Sequence, residues 1–247
     1  MKFENIKVYN FEGALHGMRN PKESWDKSDS YWEGDKYIIG ENDMKLAQAL
    51  IKAGSEHRKF LRQIFVSVDI TAPLFWWKEF DTYKVGTVAN STSTMHKIHS
   101  KPITLDCFET DDYTNLSIFD APLTCLTDHV DEFIEVLETL RQRYLEWNEK
   151  AKQSSNDEQR KMCLKIAKRY WKELIRWLPE SWLQTRTVTM DYENLFGMCS
   201  KTQRRFHKLN EWSGIDDNTL EHFIKMARAL PYAQEFIFID EVVKKEG

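Results

Sequence analysis

The residues best placed to do chemistry in this chain are those that could hold an anion. The segment 81–95 reads Asp-Thr-Tyr-Lys-Val-Gly-Thr-Val-Ala-Asn-Ser-Thr-Ser-Thr-Met. Lys84 supplies a cation there and Gly86 a permissive backbone. Thr87, Asn90, Ser91, Thr92 and Ser93 add polar groups, a mixture that suits a phosphate cradle. A polar surface strand or loop has the same composition, so the residues leave both readings open. A second group is Arg204, Arg205, His207 and Lys208. A guanidinium in it would grip a phosphate bidentately; the alternative is a solvated helix end whose cations face the helix dipole. His96 and His99 stand three apart, but no thiol or carboxylate completes a metal set at a known spacing. His57 comes just ahead of a strand-like run, where a surface or capping role is the simplest reading. No nucleophile–base pair and no carboxylate dyad emerges.

Composition narrows the chemistry further. The 247 residues include 35 Lys+Arg and 39 Asp+Glu, a net charge of −4. General nucleic-acid binders carry a basic excess, so the balance offers no direct sign of such a partner. Gly-rich dinucleotide and P-loop fingerprints are absent, as are G-x-S-x-G and H-E-x-x-H. The 4 cysteines include no C-x-x-C pair, which reads as four reduced thiols in a cytoplasmic protein. The first ten residues have no apolar core of a secretory signal, and no apolar run approaches the roughly 20 residues of a membrane span.

These side chains need elements to position them. Ile64, Val66, Val68 and Ile70 alternate with Phe65, Ser67 and Asp69, which predicts a strand. Thr71 then offers an N-cap and Pro73 a first-turn position for a short helix over 74–80. Val130, Phe133, Ile134, Leu137, Leu140, Tyr144 and Trp147 predict a long helix over 128–150. Cys163, Ile166, Ala167, Tyr170, Leu174 and Trp177 predict a second, stopped before Pro179. Val188, Tyr192, Leu195, Phe196, Cys199 and Phe206 suggest a third, and Asp216 a cap for a fourth that closes at Leu230-Pro231. The expectation is one α/β (α+β) domain over 1–247, with a small mixed or antiparallel sheet in the first half and long flanking helices in the second.

In order, His57, the strand, Ala72-Pro73-Leu74-Phe75, a short helix, a polar loop and then Leu178-Pro179 ahead of a further helix resemble the flavin-dependent thymidylate synthases (ThyX). The resemblance spans about Lys7 to Lys208. Counting without gaps from Ala72-Pro73, Thr82, Tyr83 and Lys84 stand where that family has its R-H-R signature. Thr92, with Ser93 beside it, stands at the family's serine, Asn90 at its acidic residue, Glu79 at its glutamine and Thr94 at its closing arginine. Arg204, with His207 and Glu211, mirrors the spacing of the family's nucleotide arginine; Arg228 with Ala233-Gln234 resembles the same element at a greater distance.

The resemblance implies a divergent enzyme that methylates C5 of dUMP or a related pyrimidine nucleotide. It would use methylenetetrahydrofolate as carbon donor and FAD reduced by NADPH, and work as a homotetramer. It implies cofactor binding by His57, Tyr83, Lys84, Thr87 and Asn90, and substrate binding by Glu79, Thr92, Ser93, Arg204 and Arg205. A non-catalytic ThyX-fold module that binds a nucleotide or a protein is the alternative. Each lost charge-assisted bond is worth on the order of 1.5–3 kcal/mol, so the altered signature implies weaker flavin and dUMP binding.

Overall fold

The computed structural model describes residues 1–111, 129–201 and 207–244, with the side chains of 242–244 excepted. Strand β1 (Lys2–Tyr9) leads into helix α1 (Phe11–Arg19), a hairpin of β2 (Tyr31–Glu33) and β3 (Lys36–Ile38), and helix α2 (Glu41–Lys52). Then come β4 (Phe65–Pro73), α3 (Leu74–Phe80), β5 (Val88–Ser91), α4 (Val130–Gln153), α5 (Asp157–Arg176), β6 (Leu183–Asp191), α6 (Tyr192–Cys199) and α7 (Phe223–Arg228). Four of the strands form one sheet in the order β1-β4-β6-β5. Asp69 bonds Thr187 and Thr71 pairs with Thr185 at 2.7 Å, a register that runs β4 and β6 antiparallel. The chain divides into two compact units, Met1–Ile70 with Glu79–Asn90 and Arg186–Gly247, and Thr71–Lys78 with Ser91–Thr185.

The alternation at the start of β4 does what its period demands. Ile64, Val66, Val68 and Ile70 are fully buried, while Phe65 stays 42% exposed. In this first unit Tyr192 is buried too, its ring edge-on to Phe11 and its hydroxyl donating to the Pro231 carbonyl at 2.6 Å. Burial raises the Tyr192 phenol well above its usual range. A second aromatic group joins Phe80, Trp212 and Phe223. The other unit has its own core, in which Leu137 of α4 and Leu174 of α5 close over Ile98, Ile103 and Phe108. Both long helices follow the predicted apolar stripes, and Asn156 caps α5 by accepting from the Glu158 N–H.

Four expectations are corrected. The stripe from Val188 is not one helix: Val188 and Met190 are buried at period two in β6, and the helix starts only at Tyr192. The β-branched Thr-Arg-Thr-Val-Thr run favours the strand, and Asp191 stops it with a capping box on Asn194; Phe206 lies outside the described residues. Asp216 caps no helix, since its N–H donates to the Asn210 side chain and α7 is capped by His222. Thr71 is no cap either, because β4 runs on to Pro73; Leu74 and Phe75 donate instead to the Trp182 and Glu180 carbonyls. The sheet, finally, is not confined to the first half, because β6 comes from the second.

Candidate functional site

The loop after α3 is built to be held still. Gly86 has φ +81°, a conformation that disfavours any Cβ. A Cβ there would also lie 2.9 Å from Asn194 Oδ1 and 3.0 Å from Asp191 Oδ2, so glycine lets the loop lie against the start of α6. The Asn194 amide donates to the Val85 carbonyl at 2.6 Å, the Thr87 hydroxyl to the Tyr83 carbonyl, and Arg186 to Asp81 at 2.8 Å. Burial pushes the Asp191 carboxyl above its ordinary range, and the neighbouring Glu193 charge adds to the rise. Thr82, Tyr83, Lys84 and Val85 thus form one wall of a cleft of about 370 Å³, with Glu193, Asn194, Gly197 and Met198 opposite. Glu193 is tied down by Arg58 at 2.8 Å, whose guanidinium lies 4.3 Å over the Phe196 ring.

Beside this wall is a polar pair that sequence reasoning missed. Glu79 Oε1 meets His207 Nδ1 at 2.9 Å, while His207 Nε2 lies 3.3 Å from the Met198 carbonyl oxygen. The imidazole is fully buried and stacked on Trp212, with ring centroids 4.4 Å apart. Tyr83 packs edge-on to the same Trp212. His207 therefore does not decorate a solvated helix end; burial and a polar partner at each ring nitrogen make it an internal tie. Residues 79 and 207 are 128 apart, and no local pattern announces such a pair.

His57 stands elsewhere in the same unit. It is exposed and borders a cavity of about 1070 Å³, with Lys22, Lys27 and Lys59 also on its walls. The predicted cofactor residues are thus divided: Tyr83 and Lys84 face the smaller cleft, and His57 the larger cavity. Thr87 is bonded within its loop, and Asn90 is exposed on β5. In the other unit Thr92 donates its N–H to the Thr185 carbonyl. Ser93 caps the turn that follows and meets His96 Nδ1 at 2.7 Å. Arg204 and Arg205 lie outside the described residues. Among the described residues, no group of three or more His, Cys, Asp or Glu could hold a metal ion, and no helix is long and apolar enough to cross a membrane.

Chemically, the larger cavity suits a phosphorylated ligand. Three lysines and a histidine are among the residues lining a space of the size that cofactors occupy, with the Glu56 carboxylate 3.8 Å from the Lys59 ammonium on the same wall. The 370 Å³ cleft offers Lys84 as an exposed cation beside the Thr82 hydroxyl, opposite the Glu193 carboxylate.

No family model matches the chain, and no curated protein matches it in sequence. Solved structures do match. The flavin-dependent thymidylate synthase ThyX from Helicobacter pylori, complexed with FAD and dUMP, aligns with a TM-score of 0.59 at 15% identity, covering 97% of this chain and 99% of that one. A second structure of Helicobacter pylori Thymidylate Synthase X, also with FAD and dUMP, aligns with a TM-score of 0.50 at 14% identity, over 97% and 98% of the two chains. The chain has a ThyX-like fold of mixed helix and antiparallel sheet, as the order of its elements led one to expect.

Proposed function

We propose that this protein is a divergent ThyX-like enzyme that methylates C5 of dUMP or a related pyrimidine nucleotide. One observation carries the reading: the fold matches 99% of a ThyX chain that was crystallised with FAD and dUMP. The donor set supports it. Lys22, Lys27, Lys59 and His57 around one cavity suit the phosphates of FAD, and the chemistry of those residues fits the group. When bound, the flavin, reduced by NADPH, would supply the electrons and relay the methylene of methylenetetrahydrofolate. The chain's own residues bind and orient. Lys84 and Thr82 present charge and a hydroxyl to the smaller cleft, and Glu79 with His207 fixes the loop that carries them. A protein nucleophile is not needed, in keeping with the absence of a recognisable nucleophile–base pair in the sequence. The working form proposed is a homotetramer of single ThyX-like domains, in a reducing cytoplasm that suits the thiols of Cys107, Cys163 and Cys199.

A second reading, a ThyX-fold nucleotide-binding module without redox chemistry, is favoured by one observation. Thr82 and Tyr83 stand where the family signature has cations, and Tyr83 is packed on Trp212. Calorimetry with dUMP and deoxyuridine tests what both readings share. Binding of dUMP with far weaker binding of deoxyuridine is expected. Arg204→Ala should weaken dUMP by about 2–3 kcal/mol, the scale of a lost charged hydrogen bond. Equal affinity of the two proteins for dUMP removes Arg204 from the phosphate site, and no binding of dUMP by either defeats both readings.

A further inference from the structure

The basic residues of the chain are unevenly placed. Helix α5 carries Lys161, Lys165, Lys168, Arg169, Lys172 and Arg176, all exposed. At about 100° per residue these six fall within an arc of about 100°. Lys161 to Arg176 spans about 22 Å along the axis, with steps of about 4.5–6 Å from one row to the next. Glu158, in the first turn, is the carboxylate that shares the arc. Among the described residues Arg176 alone of the six is ion-paired, with Glu173 at 2.5 Å. A chain of net charge −4 thus concentrates five cations without an ion-pair partner on one face of α5.

The make-up of the stripe selects its partner. Four of the six are lysines, which protein–protein interface cores disfavour and which serve phosphate as point charges. Met162 and Leu164 are exposed but flank the stripe on opposite sides, so no apolar wedge faces a bilayer. No aromatic lies in the arc, so single-stranded bases have nothing to stack on. A regularly spaced, base-paired polyanion complements what remains. We propose that α5 docks on the phosphodiester backbone of a DNA duplex without reading its sequence. This surface is separate from the nucleotide reading above and does not depend on it.

Fluorescence anisotropy of the full chain with a labelled duplex of about 20 base pairs tests this between about 50 and 200 mM KCl. Binding at low salt is expected, equal for two unrelated sequences. Log Kd should rise with log[KCl] at a slope of about 4 to 5, one counterion for each unpaired cation. The triple variant Lys165→Glu, Lys168→Glu, Lys172→Glu should bind at least about tenfold more weakly. Lys2→Glu, Lys7→Glu, Lys45→Glu, with the same change in net charge, should bind like wild type. If charge reversal unwinds the helix by circular dichroism, the corresponding triple glutamine variant replaces it with the same expectation. No binding at about 50 mM KCl, or equal losses in the stripe and control variants, overturns the proposal. So does binding to phosphatidylserine vesicles but not to duplex, or self-association that the stripe variant abolishes.

Discussion

Gly86 shows how one residue can shape the cleft. Its φ of +81° would cost a non-glycine residue about 1–2 kcal/mol, and a Cβ would displace Asn194, which bonds Val85 and belongs to the cap of α6. Gly54 has a φ of +108° with nothing within 4 Å of the Cβ position. Gly54→Ala should therefore lose only the conformational part, about 1–2 kcal/mol. Gly86→Ala should lose about 2–4 kcal/mol in total, as the cap and loop bonds are strained. Urea unfolding of the two variants makes the comparison, and equal losses would show that the contact with α6 does not matter. Glycine at 86 was visible in the sequence as a permissive backbone, but the side chains it lies against were not. Nor were the Glu79–His207 and Arg58–Glu193 pairs, because each joins positions more than a hundred apart.

Within the second unit, α4 is tied to the segment before it by one carboxylate. Glu138 accepts from Arg141 at 2.6 and 2.7 Å, from the Ile103 N–H at 2.8 Å and from Gln142 at 2.7 Å. The Arg141 bonds, joined by those of Ile103 and Gln142 and opposed by burial, hold the Glu138 carboxyl down to about 2. Its folded value lies below the ordinary value of 4.5, so the unfolded chain binds the proton more readily. The bonded carboxylate therefore contributes its stability above pH about 4.5 and loses it as pH falls toward about 2. Glu138→Gln should cost on the order of 2–3 kcal/mol near pH 6 in urea melts, and progressively less across that window. A difference that stays constant with pH would contradict this origin. The two helices of this unit were legible because their apolar stripes are long and periodic. The strand β6 was not, since Val188 and Met190 at period two run directly into the helical stripe of Tyr192, Leu195 and Phe196. The N-terminal elements, which bring Lys22, Lys27 and Lys59 around one cavity, left no motif to read, because scattered lysines converge only when α1 and α2 are folded.

At the scale of the whole molecule, the ThyX-like fold holds with about one residue in seven shared with the solved ThyX chains, as the 15% identity shows. Burial pattern and element order define such a fold, and both survive the replacement of signature side chains. Trp25, Tyr31 and Trp32, near the β2–β3 hairpin, leave three aromatic side chains about half exposed on one unit. Together with the resemblance this leads us to expect a homotetramer, and light scattering near the 29.4 kDa of one chain would contradict it. The central claim is that this fold still holds a flavin through a changed set of cations. Titration of FAD with the purified protein, followed by flavin fluorescence, tests it most directly. Saturable quenching is predicted, weakened when Lys22, Lys27 and Lys59 are replaced by Ala. An emission that stays unchanged up to high micromolar protein would contradict it.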